Sequence, residues 1–371
     1  MRIVYIYDTI ARWGGIERVL ADKVNWLIQK ENWQVYLLTT DQGTHKFPFK
    51  IDNRVFHEDL NICFHSQYRY SRLRRIYERI RLARLFRKRL EECINRIHPD
   101  VIIGGSAKFV NVINEVRGSI PYIVESHSGY EHVIEHVHEN FYWRLQKRRS
   151  YRQISKATIV VSLSKADALR WSKNVQTIMI PNIVHLNPTG RYSSCDSQRV
   201  IYVGRLARQK GIPDLLAIWK LVHERHPRWQ LDIYGEGDNK DQLLREIERM
   251  DANIYVHDPV VDIFSQYIDS SIFLLTSIYE PFGLVLPEAM SCGLPVVSFE
   301  ADGPNSIITD GKDGIIVRER EVEVFANRVC QLIEDKELRR QMGKNAIISA
   351  QRYSAEHIMP MWINLFESLK T

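Results

Sequence analysis

The chain reads as two doubly wound α/β domains in tandem, and three observations predict this. Short, continuous apolar runs alternate with amphipathic helical patterns along the whole length, as expected of parallel strands covered on both faces. A polar stretch at 185–198, rich in Asn, Pro, Gly, Ser and Asp, interrupts that alternation near the middle. The length of 371 residues makes two domains the natural expectation.

In order, the first half carries apolar runs at 3–7, 35–39, 101–103, 122–124, 158–161 and 178–180, each read as a strand. Helical spacing of apolar positions fills the gaps, for example at 17–29 and over the long segment 72–97. After the polar stretch, strands are read at 200–203, 231–234, 254–256, 272–275 and 296–299. The last segment, 355–369, is amphipathic and helical around Pro360. The resulting organisation is a first domain at 1–185, a second at 199–354 and a terminal helix within 355–371.

Composition narrows the class. Hydrophobic residues are 44% and charged residues 26%, ordinary for a globular protein. No window approaches 18 uncharged apolar residues, so a spanning helix is not expected. Residues 1–8 end in Asp8 and read as a first strand, not a secretory leader. Cys63, Cys93, Cys195, Cys292 and Cys330 are scattered, with no C-x-x-C pair, which points to a reduced, cytoplasmic compartment. The net charge of +6 is unevenly placed. Between Arg69 and Arg96, ten Arg and one Lys face three Glu, an excess of 11 − 3 = +8, so the remainder is near neutral. Arg144, Lys147, Arg148, Arg149 and Arg152 form a smaller basic cluster after Phe141-Tyr142-Trp143.

Four motifs carry chemistry. The stretch 279–297 places Glu280 and Glu288 on either side of a Pro-Phe-Gly turn and the start of an apolar helix. Ionised carboxylates accept strong hydrogen bonds from neighbouring hydroxyls, so this spacing suits a polyol. The same spacing would also suit a helix start whose dipole favours acids. Gly204-Arg205 to Lys210-Gly211 follows a strand and opens a helix, and two cations beside a helix start suit a diphosphate. Gly14-Gly15-Ile16-Glu17-Arg18 follows the first strand, where glycines let backbone approach an anion closely. Gly235-Glu236-Gly237 follows another strand. No G-x-G-x-x-G occurs, which argues against a dinucleotide-dependent dehydrogenase.

Together these segments resemble the retaining glycosyltransferases of the family 4 type, over nearly all of the chain. The resemblance implies a GT-B fold: two tandem Rossmann-like domains, the first binding acceptor and the second donor, with a C-terminal helix crossing back to the first. It also implies residue roles. Glu280 would contact the donor sugar and Glu288 the nucleotide ribose, with Phe282, Gly283 and Leu284 in the donor-binding turn between them. Arg205 and Lys210 would hold the leaving nucleoside diphosphate. Gly14 and Gly15 would close over that diphosphate, and Gly235 and Gly237 would abut the nucleotide. The loop 257–262 would pack the base through backbone contacts. Gly303-Pro304-Asn305-Ser306 matches a further family segment, but Ser306 stands where an acid is common. His127, in Glu125-Ser126-His127-Ser128, would face the anomeric side of the sugar.

The reaction implied is retaining transfer of a hexose or N-acetylhexosamine from a nucleotide sugar, expected to be a UDP-sugar, to a lipid-linked or polysaccharide acceptor. No D-x-D occurs, so no metal and no cofactor is expected beyond the nucleotide sugar as co-substrate. Arg72, Arg75, Arg79, Arg84 and Arg87 lie on a cationic, amphipathic helix that suits an anionic membrane or the pyrophosphate of a lipid-linked acceptor. No nucleic-acid motif accompanies it, so nucleic acid is not an expected partner. The location implied is cytoplasmic, peripheral at the inner face of the plasma membrane. Three alternatives stay open: a nucleotide-sugar epimerase of the same fold, a zinc hydrolase through His132-Val133-Ile134-Glu135-His136, a literal H-x-x-E-H, and a non-enzymatic membrane or nucleic-acid adaptor.

Overall fold

A computed structural model describes residues 1–31, 33–105, 109–130 and 141–370. The chain divides into two compact units, Met1–Ile183 with Ile358–Thr371, and Val184–His357.

The first unit is built on a seven-stranded sheet. Its strands are β1 (Arg2–Tyr7), β2 (Gln34–Thr39), β3 (Phe56–Asp59), β4 (Val101–Gly104), β5 (Tyr122–Ser126), β6 (Ile159–Ser162) and β7 (Thr177–Met179), in spatial order β3-β2-β1-β4-β5-β6-β7. Every pairing is parallel. The second unit repeats the plan with β8 (Arg199–Val203), β9 (Gln230–Tyr234), β10 (Ile254–His257), β11 (Ile272–Leu275), β12 (Val296–Phe299) and β13 (Gly314–Val317). Their order is β10-β9-β8-β11-β12-β13, again all parallel. The order reverses between β1 and β4, and between β8 and β11. In open α/β sheets such reversal points leave a crevice beyond the carboxyl ends of the strands.

The continuous apolar runs became the central strands because helices cover both faces. β1, β4 and β12 are almost wholly buried. Two strands escaped the sequence reading, and both sit at sheet edges. β3 reads Phe-His-Glu-Asp, without an apolar run, because one of its sides pairs with no strand. β13 is apolar but only four residues long, directly behind the Asp310–Asp313 turn. The polar stretch after residue 184 lacks helix and strand, as read. It is nonetheless tied into the second unit. Arg339 Nε donates to the Cys195 carbonyl (2.9 Å) and the Asn187 N–H donates to Ser291 Oγ (3.0 Å).

The terminal helix Ala355–Ser368 keeps Pro360 inside it and buries Ile358, Met359, Trp362, Leu365 and Phe366. Phe366 packs edge-on to Trp33 (5.9 Å), and Trp362 lies beneath the Lys23 ammonium (4.2 Å), both in the first unit. None of the described helices is long and apolar enough to cross a membrane.

The basic helix, Arg72–Ile97, has two distinct halves. From Leu82 on, Leu82, Phe86, Leu90, Cys93, Ile94 and Ile97 face the core. Before that point Leu73, Ile76, Tyr77 and Ile80 are all exposed, at i, i+3, i+4 and i+7.

Candidate active site

In the second unit, the loops that follow β8, β9, β10 and β11 are stitched to one another beyond the strand ends. The Gly204 N–H donates to the Tyr234 carbonyl (3.0 Å), Leu206 N–H to Glu236 (2.9 Å) and Gly235 N–H to His257 (3.1 Å). The glycines are required for this closeness. A Cβ on Gly235 would lie 2.0 Å from the Gly204 carbonyl oxygen, and one on Gly237 2.5 Å from that of Leu206.

Lys210 and Glu280 meet across the reversal point between β8 and β11. Lys210 Nζ lies 2.5 Å from Glu280 Oε2, with the side chains 19% and 8% exposed. The surroundings impose this. Thr276 Oγ1 donates to the Lys210 carbonyl (3.1 Å), and Ile278 N–H to that of Gln209 (2.8 Å). Gly211 turns at φ +67°, where a Cβ would strike the Thr276 carbonyl oxygen at 1.9 Å. Arg320 Nη1 donates to the Ser277 carbonyl (3.0 Å), and Ser277 Oγ donates to Glu280 Oε2 (2.9 Å). Thr276, Ser277 and Arg320 were not singled out from sequence, because backbone-directed support leaves no motif.

Arg205, five positions before Lys210, is exposed, and among the described residues no ion pair engages it. The turn after Glu280 is held by Phe282, buried against Tyr353 (ring centroids 5.6 Å apart), and by Gly283 at φ +89°. Phe282 is therefore a core anchor, while Leu284 is half-buried. Gly303 packs on the same turn. Its N–H donates to the Glu280 carbonyl (2.9 Å), and a Cβ there would lie 2.2 Å from the Phe282 carbonyl oxygen. Glu288 lies on the short helix Val285–Ser291, buried, with the Tyr267 hydroxyl 3.5 Å from its Oε2. Ser306, at the family's acidic position, turns its hydroxyl to the Asp302 carbonyl within its own helix (2.9 Å).

In the first unit Gly14 precedes the helix Gly15–Glu31, whose first amides have no intrahelical acceptor. A Cβ on Gly14 would meet only the far end of the Glu17 side chain. Gly14 is thus not dictated by packing, unlike Gly235. His127 follows β5 and is held by buried groups. Its Nε2 lies 2.8 Å from Glu125 Oε2 and 3.2 Å from the Tyr7 hydroxyl. Glu125 Oε1 accepts from buried Lys23. Burial alone would raise the Glu125 pKa, but the Lys23 charge and the His127 and Lys23 hydrogen bonds prevail and hold it at about 2. Burial lowers the Lys23 pKa, against the opposing pull of Glu125. Lys23 was missed from sequence, although a lysine among Val19, Leu20, Val24 and Leu27 on a core-facing stripe is a readable signal.

Of the basic-helix residues, Arg72, Arg79 and Arg84 are exposed. Arg75 lies over the Tyr68 ring (5.2 Å), and Arg87 reaches Glu115 at 3.7 Å. The H-x-x-E-H segment lies outside the described residues.

Residues 13–187 match the family described as Glycosyltransferase Family 4, and residues 193–348 match Glycosyl transferases group 1. A relative from Erwinia amylovora, the amylovoran biosynthesis glycosyltransferase AmsD, is 26% identical over 97% of this chain and 98% of its own. Sucrose-phosphate synthase from Thermosynechococcus elongatus superposes with a TM-score of 0.80 at 20% identity, covering 100% of this chain and 99% of that one. HepE from Anabaena in complex with UDP gives 0.75 at 17%, covering 99% and 100%. The chain is a glycosyltransferase of the GT-B fold, with a family 4 segment followed by a group 1 segment.

Proposed function

We propose that the protein transfers a hexose or N-acetylhexosamine from a UDP-sugar to a lipid-linked or polysaccharide acceptor, with retention of anomeric configuration. The observation that carries this is the Lys210–Glu280 pair at the reversal point of the second sheet, with Arg205 exposed on the same loop. A UDP complex of HepE and the polysaccharide role in the name of AmsD support the choice of donor and acceptor class.

The chemistry follows from charge. As the glycosidic bond breaks, negative charge grows on the diphosphate. Arg205 and Lys210 stabilise it where it develops. Glu280 orients the sugar and Glu288 the ribose. No residue is assigned as covalent nucleophile, and no metal is assigned a role. The exposed Leu73, Ile76, Tyr77 and Ile80 stripe, with Arg72, Arg79 and Arg84, rests on an anionic membrane surface where a lipid-linked acceptor would be presented. The enzyme on this reading works from the inner face of the plasma membrane.

The test is incubation of purified protein with a panel of UDP-sugars, with and without a polyprenyl-pyrophosphate glycan, followed by NMR of the product. An α-configured linkage from an α-configured donor, with UDP released only when acceptor is present, is the expected result. UDP release or sugar interconversion without acceptor would point to the epimerase instead, and an inverted linkage would remove the retaining claim.

A further inference from the structure

Three buried polar groups, Lys23, Glu125 and Tyr7, gather beside His127. Lys23 and Glu125 are 2% and 3% exposed, and Tyr7 is buried beside them. Oε1 of Glu125 takes Lys23. Oε2 faces His127 Nε2 at 2.8 Å and the Tyr7 hydroxyl at 3.3 Å. The Lys23 ammonium is capped on its other side by Trp362 of the terminal helix (4.2 Å). The His127 ring lies against Gly105, where a Cβ would come within 3.1 Å of His127 Cδ2 and 2.9 Å of Tyr7 Cε1.

Burying a carboxylate is costly unless it is paired and hydrogen-bonded. Here the pairing is complete, so Glu125 stays an acceptor at both oxygens. An ionised carboxylate cannot donate, and so the proton between Glu125 and His127 resides on Nε2. In the neutral ring the lone pair is then on Nδ1, which has no hydrogen-bond partner among the described residues.

We propose that Lys23 and Glu125 are positioning residues for His127, fixing its Nε2–H tautomer so that Nδ1 is presented as an acceptor to a hydroxyl of the transferred sugar. Glu125 sets the tautomer and the ring plane. Lys23 supplies the charge that keeps Glu125 ionised in a dry environment, and Trp362 excludes water from Lys23. The role of His127 toward the sugar rests on the transferase reading above, but the tautomer does not.

The experiment has two arms on the full chain. In the first, 15N-histidine NMR at pH 8 reads the protonated nitrogen of His127, assigned by comparison with His127→Ala. The expected spectrum is a single Nε2–H tautomer in the parent chain and a mixture in Glu125→Gln. A parent ring protonated on Nδ1, or one unchanged by Glu125→Gln, overturns the proposal whatever the enzyme transfers. In the second arm, Glu125→Gln and Lys23→Met lower kcat about tenfold, the size of one withdrawn hydrogen bond. The dissociation constant for UDP stays unchanged, and Glu125→Gln adds no further loss to His127→Ala. Additive losses, or a loss that appears only in UDP affinity, reduce the network to a structural role and overturn it. Should Lys23→Met fail to fold, Glu125→Gln and the parent spectrum decide. A parent chain without transferase activity, but with the expected tautomer, would count against the function and not against the network.

Discussion

Replacing Lys210 with Met should destabilise the second unit and weaken nucleotide binding, and adding Glu280→Gln should restore stability alone. The Nζ–Oε2 separation is 2.5 Å. At an effective dielectric of about 20, that corresponds to an attraction of about 7 kcal/mol, largely offset by the desolvation of both charges. Removing Lys210 leaves Glu280, 8% exposed, with the Ser277 hydroxyl at 2.9 Å. Breaking a buried pair from one side costs about 3–5 kcal/mol. The partial access of water to Lys210 favours the lower figure, which for a unit of this size lowers Tm by roughly 6–12 °C. The double variant should recover at least about 1 kcal/mol relative to additivity, the signature of coupled neighbours. UDP affinity should fall by roughly 10–150-fold in both Lys210 variants, because a lost charge-assisted hydrogen bond to phosphate costs about 1.5–3 kcal/mol. Differential scanning fluorimetry with a UDP titration reads both quantities. Additive single-variant losses below about 1 kcal/mol each would refute the claim that this pair is desolvated and coupled.

Further outcomes are expected elsewhere. Gly235→Ala pushes a methyl to 2.0 Å from the Gly204 carbonyl oxygen and should cost about 1–3 kcal/mol or more, read by thermal denaturation. Gly14→Ala, which meets only the movable end of Glu17, should leave Tm unchanged while lowering kcat/KM for the donor. Reversing Arg72, Arg79 and Arg84 to Glu should release the protein from anionic vesicles, at about 1 kcal/mol per charge removed, without altering the thermal response to UDP. Vesicle co-sedimentation that survives the triple reversal would remove the assignment of the membrane contact to this helix. Glu125 titrates at about 2 in the fold, below its ordinary 4.5. The unfolded chain therefore binds the extra proton between those values, and the stabilisation is full above pH 4.5 and lost as pH falls toward 2. Acid denaturation should narrow the stability gap between the parent chain and Glu125→Gln across that window.

The central strands were legible because each is buried on both faces and so written as a continuous apolar run, as in Ile3 to Tyr7 or Val296 to Phe299. Two of the four edge strands were not: β3 carries no apolar run, and β13 follows directly on a polar turn. Of the candidate site, the glycines and charges that stand in fixed spacing were readable, and the structure joins Lys210 to Glu280. What sequence could not show is which side chains serve as ligand contacts and which as supports. Phe282 sits in the motif yet anchors the core against Tyr353, while Ser277 and Arg320 lie outside any motif and hold the Glu280 loop. The same limit hid Lys23, 102 positions from its partner Glu125. Contacts over such separations are set by the sheet order, which local patterns do not encode.

The measurement that tests the central claim most directly is a thermal shift of the full chain against UDP, GDP, ADP and their sugars, in EDTA. A ligand at 100 times its dissociation constant stabilises by about 2.7 kcal/mol. Stabilisation by UDP and a UDP-sugar, cut to half or less in Arg205→Ala and in Lys210→Ala, is the result expected. No stabilisation by any nucleotide, or stabilisation that both variants retain, would contradict the assignment of the donor site to the loops around Lys210 and Glu280.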